Sequence, residues 1–182
     1  MKQSKVNRLV MAALFLNLGL VLPFFTGNIP YFGAALLPMH IPVLLAGIVV
    51  GPKYGALIGL MLPIIRYYMI GMPPLFPIGA AMTFELAAYG GIIGLLYIKL
   101  PKTPPHLYAS LIGAMLAGRA VWGLAMVVIS GLSDVAFSFQ IFLTAAFVTA
   151  VPGIVFQIVF IPTLIMVLKK AGVFDGQSAS AR

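Results

Sequence analysis

Long apolar runs follow one another along the chain, separated by short segments that hold charges, prolines or glycines. A bilayer core about 30 Å thick requires roughly 20 apolar residues for each helical span. Cutting the runs at the interruptions predicts an all-α membrane bundle in one domain, residues 1–182. Its six predicted transmembrane helices lie near residues 9–25, 36–51, 55–71, 76–98, 107–130 and 138–168.

Two of these spans have unusual features. Pro38 and Pro42 interrupt the start of the second span, and Gly51-Pro52 ends it, so this helix is expected to tilt or break. The last run is longer than a bilayer requires, and part of it is expected to lie in the membrane interface.

Composition excludes a water-soluble protein. Apolar residues make up 62% of the chain and charged residues 8%, whereas about 25% is charged in soluble domains. Six spans with short connections use up the 182 residues, which leaves no room for a soluble domain.

The positions of the cations predict the orientation of the helices. Cytoplasmic loops of membrane proteins hold an excess of Lys and Arg. Alternate connections here carry the cations, whereas residues 26–37, 72–75 and 131–138 carry no charge except Asp134. The sequence therefore predicts that both chain ends are cytoplasmic, on the side that holds Lys2, Lys5, Arg8, Lys53, Lys99, Lys102, Lys169 and Lys170.

The start of the chain also resembles a secretory signal, because a basic segment precedes an apolar run. No small-residue cleavage site follows, and the rest of the chain is equally apolar. A retained first helix is therefore favoured.

Several function classes are disfavoured. The formal charge of +8 comes from cations scattered between spans rather than clustered on one face, so nucleic acid is not the expected partner. No phosphate-binding P-loop and no HExxH motif occurs, and the two histidines fall on opposite sides of the predicted membrane. We therefore expect no enzyme activity, no metal and no cofactor. The absence of cysteine excludes disulfides and thiolate metal sites.

Small residues recur at helical spacing, which predicts close packing between helices. The pairs are Gly47 with Gly51, Gly55 with Gly59, Gly90 with Gly94, and Gly113 with Ala117.

Three ionisable residues fall inside predicted spans: Arg66, Glu85 and Arg119. Each costs at least about 2.5 kcal/mol at the bilayer centre unless it is paired or hydrated, so each is a candidate functional residue. Two arginines and one carboxylate leave a surplus positive charge suited to a small anion. The hypothesis is an outward-facing pocket in which Arg119 clamps the anion and Arg66 forms a network with Glu85. The alternative is that an Arg66–Glu85 ion pair only fixes helix packing, while backbone carbonyls cap Arg119.

Polar, aromatic and Met side chains near these charges are candidates to orient a ligand. An apolar pocket with a few converging polar groups is how small-molecule sites are usually built. Trp122 lies three residues after Arg119 and therefore on nearly the same helix face. The proposed set is Asn17, Met39, His40, Tyr67, Tyr68, Met82, Trp122, Asp134, Phe137 and Gln140. Two proline-rich outer segments, 27–31 and 71–77, are predicted either to close over the ligand or to lie in the interface.

The stretch from Leu37 to Gly47, continuing through Gly51-Pro52-Lys53-Tyr54-Gly55 to Gly59, resembles the substrate-binding (S) component of an energy-coupling factor (ECF) transporter. Three further stretches, residues 71–77, 84–90 and 117–123, are similar to the pantothenate-type and the pyridoxine or hydroxymethylpyrimidine-type members. The resemblance covers nearly the whole chain.

This resemblance implies a high-affinity vitamin binder in the plasma membrane. Its implied partners are a transmembrane coupling subunit and two cytoplasmic ATPases, which are the subunits that use ATP. The first helix of the family usually presents an Ala-x-x-x-Ala surface to the coupling subunit. Here Ala13 is followed by Asn17, so docking through Ala12 and Ala13 is one expectation, and a ligand-facing Asn17 is another.

The surplus arginine favours a carboxylate-bearing vitamin, and pantothenate is the S-component substrate that fits best. Pyridoxine or hydroxymethylpyrimidine stacked on Trp122 or the tyrosines is the alternative. Two hypotheses from other classes stay open: a membrane scaffold whose buried charges only pin helices, and an autonomous ion-coupled carrier.

Overall fold

The computed structural model of the protein describes residues 5–27, 36–133 and 137–172. These residues are mainly helical, and no strand occurs among them. A wide helical turn, Leu75–Gly79, leads into the fourth helix, and another, Thr144–Val148, continues the sixth. In chain order the helices are α1 (Lys5–Gly27), α2 (His40–Val49), α3 (Pro52–Ile70), α4 (Ala80–Lys99), α5 (Pro104–Gly131), α6 (Phe139–Leu143) and α7 (Val151–Lys170).

Local sequence explains where these helices begin and end. Pro52 and Pro104 occupy the first turns of α3 and α5, where a missing N–H costs nothing. Gly71 caps the end of α3 with a φ of 76°, and Gly51, with a φ of 117°, separates α2 from α3. Both values lie in the region that favours glycine.

Four of the described segments are long and apolar enough to cross a membrane: Lys5–Phe25, Leu75–Lys99, Pro104–Gly131 and Val151–Lys170. They correspond to the predicted first, fourth, fifth and sixth spans. The prediction of an all-helical fold is therefore confirmed for the described residues, while six full spans and their orientation remain predictions.

Two predicted spans differ from the structure. The segment near 36–51 forms only the ten-residue helix α2, which is about 15 Å long and too short for a bilayer. The run near 138–168 is divided at Thr149 and Ala150 into a short apolar part, Phe139–Val148, and the long helix α7.

Helix α2 lies inside the bundle. All ten of its residues are buried, and it packs against α1, α3, α4 and α7. A helix that is apolar on every side requires an apolar environment, and here the neighbouring helices provide it. Its amino-terminal residue, His40, is consequently held in the protein interior.

Glycines allow α2, α3 and α4 to approach closely. A Cβ atom at Gly90 would collide with the backbone of Gly55, and one at Gly59 would collide with the backbone of Leu86. Gly47 likewise faces the Gly90 carbonyl. The structure thus supports close packing through these glycines. Gly51, in contrast, ends α2 rather than packing as the partner of Gly47.

Helix α1 has a broad apolar face that no described residue covers. Ala13 and Asn17 lie on the exposed part of α1, whereas Ala12 is buried in the main core. The predicted docking pair is thus divided, and only Ala13 is accessible. The exposed large apolar side chains of this helix are Val6, Leu9, Val10, Leu14, Leu18, Val21, Phe24 and Phe25.

The turn between α4 and α5 meets the last turn of α7. Lys169 Nζ donates to the carbonyl oxygen of Lys102 at 3.4 Å. Two of the cationic segments in the charge pattern therefore lie at the same end of the bundle. We call this the inner end, since the charge pattern predicts that it is cytoplasmic.

Candidate binding site

Three helices bring polar side chains together inside the bundle. Glu85 comes from the first turns of α4, Arg119 from the middle of α5, and His40 from the start of α2. Arg119 Nη1 lies 2.9 Å from Glu85 Oε1, and His40 Nε2 lies 3.6 Å from the same oxygen. Residues separated by up to 79 positions in the chain thus form one cluster.

The cluster is almost completely shielded from solvent. The exposed fraction is 1% for His40, 1% for Glu85 and 6% for Arg119. Charges buried to this degree are tolerated in proteins only when they are paired. Glu85 and Arg119 compensate each other, so the ion pair has no net charge.

The polar atoms of this cluster are far from satisfied by the protein. Arg119 Nε and Nη2 are buried without a hydrogen-bond partner among the described residues, and so are both ring nitrogens of His40. Glu85 Oε1 makes no well-aligned hydrogen bond despite its contact with Arg119. Buried polar atoms in proteins nearly always have partners, so these atoms indicate a place for a polar ligand or for water.

The unpartnered atoms of Arg119 belong to one edge of its guanidinium. Nη1 faces Glu85, while Nε and Nη2 form the adjacent edge and point two N–H groups in nearly the same direction. Such an edge matches the two oxygens of a carboxylate. Arg119 can therefore keep its ion pair with Glu85 and still bind a second acceptor.

Tyr89 completes the polar cluster. Its ring meets the His40 ring edge-to-face, with centroids 5.1 Å apart. Sequence analysis missed this residue. The available signal was its position four residues after Glu85, which places it on the same face of α4.

A separate group of aromatic side chains surrounds Trp122, three residues after Arg119 in α5. Trp122, on the same helix as Arg119, stacks near Phe142 with centroids 6.1 Å apart and meets Phe137 edge-to-face at 5.9 Å. Met82 packs against both this group and the main core. The roles of Trp122 and Met82 in ligand binding stay predictions.

Arg66 has a different position from the one predicted. Its Nη1 donates to the Leu20 carbonyl oxygen at 3.0 Å, and its guanidinium lies 5.3 Å from the Phe24 ring centroid. Glu85 pairs with Arg119 instead. The predicted Arg66–Glu85 network is thus wrong, because α3 turns Arg66 toward α1 rather than toward α4.

The remaining predicted site residues are dispersed. Tyr67 is half-buried beside the exposed Tyr68. Asn17 donates to the Ala13 carbonyl of its own helix at 2.9 Å and lies on the exposed face. These residues do not contact the buried ion pair through any described hydrogen bond. Asp134 lies outside the described residues.

An open groove of about 360 Å³ lies along α6 and the turn that follows it. Its lining includes Gln140, but none of the three charged or ionisable residues of the buried cluster. The remaining lining residues are Ile141, Thr144, Ala145 and Thr149.

One further buried polar residue escaped the sequence analysis. Gln157, in α7, is fully buried, and neither its oxygen nor its nitrogen has a partner among the described residues. A lone amide within an apolar helix was the available signal. The described part of the chain contains no group of three or more His, Cys, Asp or Glu residues placed to hold a metal.

Comparison with known families gives one match. Residues 7–168 match the family model for the substrate-specific component of ECF transporters. No curated protein and no solved structure gives a significant match. Members of this family are transport components that work with a transmembrane subunit, ATPase subunits and a substrate.

The match covers most of the chain, from the first turn of α1 to the last turn of α7, and agrees with four long apolar helices typical of an integral membrane protein. The chain therefore belongs to the family of ECF transporter substrate-specific components.

Proposed function

We propose that the protein is the vitamin-binding S component of an ECF importer in the plasma membrane, with pantothenate as its substrate. It binds the vitamin from outside and delivers it together with a transmembrane coupling subunit and two cytoplasmic ATPases. ATP is used by those ATPases, and this chain needs no cofactor. The observation that carries the proposal is the unpartnered Nε and Nη2 edge of the buried Arg119.

The vitamin carboxylate is proposed to accept both hydrogen bonds from this edge. Hydrogen bonds to charged groups contribute about 1.5–3 kcal/mol each, and bidentate geometry adds specificity. The ion pair with Glu85 holds the guanidinium in place before the ligand arrives. A ligand that meets a preorganised group loses less entropy on binding.

His40 is proposed to supply a hydrogen-bond donor to the occupied site. A bound carboxylate brings a second negative charge close to Glu85, and like charges buried together repel. His40 Nε2 lies 3.6 Å from Glu85 Oε1, and neither ring nitrogen has a described partner. An N–H of this imidazole would then hold Glu85 or the ligand carboxylate in place.

A second candidate substrate is pyridoxine or hydroxymethylpyrimidine. Two observations favour it: the Glu85–Arg119 pair is already neutral, and Trp122 lies three residues after Arg119, on nearly the same face of α5. A neutral heteroaromatic ring would stack on the indole and accept a hydrogen bond from Arg119.

Arg119→Lys tests the proposal without removing the ion pair. Lysine keeps the positive charge beside Glu85 but lacks the two-donor edge. Calorimetric titration is expected to show pantothenate affinity reduced about 10- to 100-fold, which corresponds to the loss of one charged hydrogen bond or more. Arg66→Lys is the matched control, since Arg66 contacts α1 instead, and its affinity should equal that of the wild type.

The same titration separates the candidates. Affinity for pyridoxine or hydroxymethylpyrimidine that survives Arg119→Lys, with no binding of pantothenate to the wild type, would favour the second substrate class. A folded wild-type protein that binds none of the three would favour the scaffold hypothesis. Vitamin uptake by cells that lack the ATPase partners would favour an autonomous carrier.

A further inference from the structure

At the inner end, two lysines share one aromatic ring. Lys102 Nζ lies 4.0 Å from the ring centroid of Tyr97, and Lys169 Nζ lies 5.4 Å from it. Tyr97 belongs to α4, Lys102 to the turn between α4 and α5, and Lys169 to the last turn of α7. We call these three residues the lysine cluster.

The two ammonium groups have little to bind within the described part of the chain. Both ion pairs found there involve Glu85, which belongs to the buried site. Lys102 Nζ is buried and has no hydrogen-bond acceptor, while Lys169 Nζ makes only the 3.4 Å contact with the Lys102 carbonyl. An ammonium group has three donors, so most donors of these two ammonium groups lack an acceptor among the described residues.

The electrostatics of the cluster favour an added anion. Burial lowers the pKa of Lys102, and the positive charge of Lys169 lowers it further. Two like charges are thus held together at a cost that aromatic contacts offset only in part. An anion between them would reverse this repulsion.

The position of the cluster indicates where such an anion comes from. Lys102 lies two residues before the span Pro104–Gly131, and Lys169 is the second-last residue of the span Val151–Lys170. Both ammonium groups therefore lie at the depth where an apolar helix leaves the hydrocarbon and meets lipid headgroups. Basic pockets between helix ends on the cytoplasmic side are typical binding sites for acidic lipid headgroups.

We propose that the lysine cluster binds the phosphate of an anionic phospholipid from the inner leaflet. A phosphate offers several acceptor oxygens, so one group can contact both ammonium groups at once. The acyl chains of such a lipid would lie against the apolar ends of the neighbouring helices. A lipid bound there would link the α4–α5 turn to α7.

Native mass spectrometry of the full-length protein in mild detergent tests this proposal. The wild type is presented with phosphatidylglycerol or phosphatidylcholine, and the retained lipid is counted. We expect preferential retention of phosphatidylglycerol, about tenfold or more, since each lysine near the surface adds to the attraction. Equal retention of the two lipids would overturn the proposal.

Two double variants locate the site. Lys102→Gln with Lys169→Gln should abolish the preference, whereas Lys53→Gln with Lys170→Gln removes the same charge from two exposed lysines and should retain it. Equal loss in both double variants would mean a general charge effect and would overturn the proposal. Lys102→Arg with Lys169→Arg keeps both charges and should keep the preference for phosphatidylglycerol. This variant tests the proposal if the Gln variant does not fold.

Two further arms distinguish other sources of an anion. Inorganic phosphate at millimolar concentration should not be retained by the wild type in place of lipid. Retention of phosphate without lipid would overturn the lipid assignment. The lipid assignment would also be overturned if Lys102→Gln with Lys169→Gln keeps its lipid but no longer assembles with the coupling subunit. The lysine cluster would then bind an acidic protein surface.

Discussion

Glu85 is expected to be essential for the stability of the bundle because it compensates the charge of Arg119. Glu85→Gln keeps the size of the side chain and removes its charge. The guanidinium would then remain 94% buried with no carboxylate among the described residues to pair with it. The perturbation thus isolates the electrostatic part of the interaction.

The geometry of the pair sets the magnitude. At 2.9 Å and an effective dielectric constant near 20, Coulomb attraction amounts to about 6 kcal/mol, which desolvation partly offsets. Breaking a buried pair by removing one partner costs about 3–5 kcal/mol. We expect Glu85→Gln, and separately Arg119→Gln, to be destabilised by this amount, which corresponds to a fall in Tm of roughly 10 °C.

A double-mutant cycle provides the assay. The Tm of purified protein in one detergent is measured for the wild type, both single variants and the double variant. The double variant leaves no buried charge, so it should lose much less than the two single losses combined. Additive losses would show that Glu85 and Arg119 do not interact, and the reasoning behind the site would fail.

Other features give further predictions. Gly90→Ala should reduce the folded yield, because its Cβ would collide with the backbone of Gly55 and overpacking costs about 1–3 kcal/mol. Gly91→Ala is the control and should be neutral or stabilising, since the nearest atom to its Cβ is 3.4 Å away. Equal folded yields of the two variants would contradict this. His40→Phe removes the ring nitrogens beside Glu85 and should weaken pantothenate binding in calorimetric titration; unchanged affinity would contradict this. The lowered pKa of Lys102 means that its protonated form destabilises the folded state, so Lys102→Gln should raise the Tm at neutral pH in lipid-free detergent. The difference in Tm should shrink as the pH rises toward the ordinary lysine pKa, and a difference that does not change with pH would contradict this.

The apolar runs predicted the long helices because span length is set by the bilayer, whatever the packing inside the bundle. The same argument failed for residues 36–51 and 138–168. A run of apolar residues has the same composition whether lipid or protein surrounds it. Only the packing shows that α2 is enclosed by other helices and that the last run is broken at Thr149 and Ala150.

The sequence predicted which charged residues belong to the candidate site, but it did not predict which of them form an ion pair. Glu85 and Arg119 stood out because charges are rare in apolar spans. Which arginine pairs with Glu85 depends on how each helix is rotated, and that rotation follows from the close contact of α3 with α4 at Gly55 and Gly59. Tyr89 escaped notice because a lone tyrosine in an apolar helix has no distinguishing pattern, and only its ring contact with His40 marks it.

The most direct test identifies what the protein carries. Small molecules released by denaturing the purified wild type and the Arg119→Lys variant are analysed by mass spectrometry. The account predicts pantothenate from the wild type, in near-stoichiometric amount, and little or none from the variant. A wild type that releases no small molecule, or a variant that releases as much pantothenate as the wild type, would contradict the assignment of Arg119 as the group that holds the substrate.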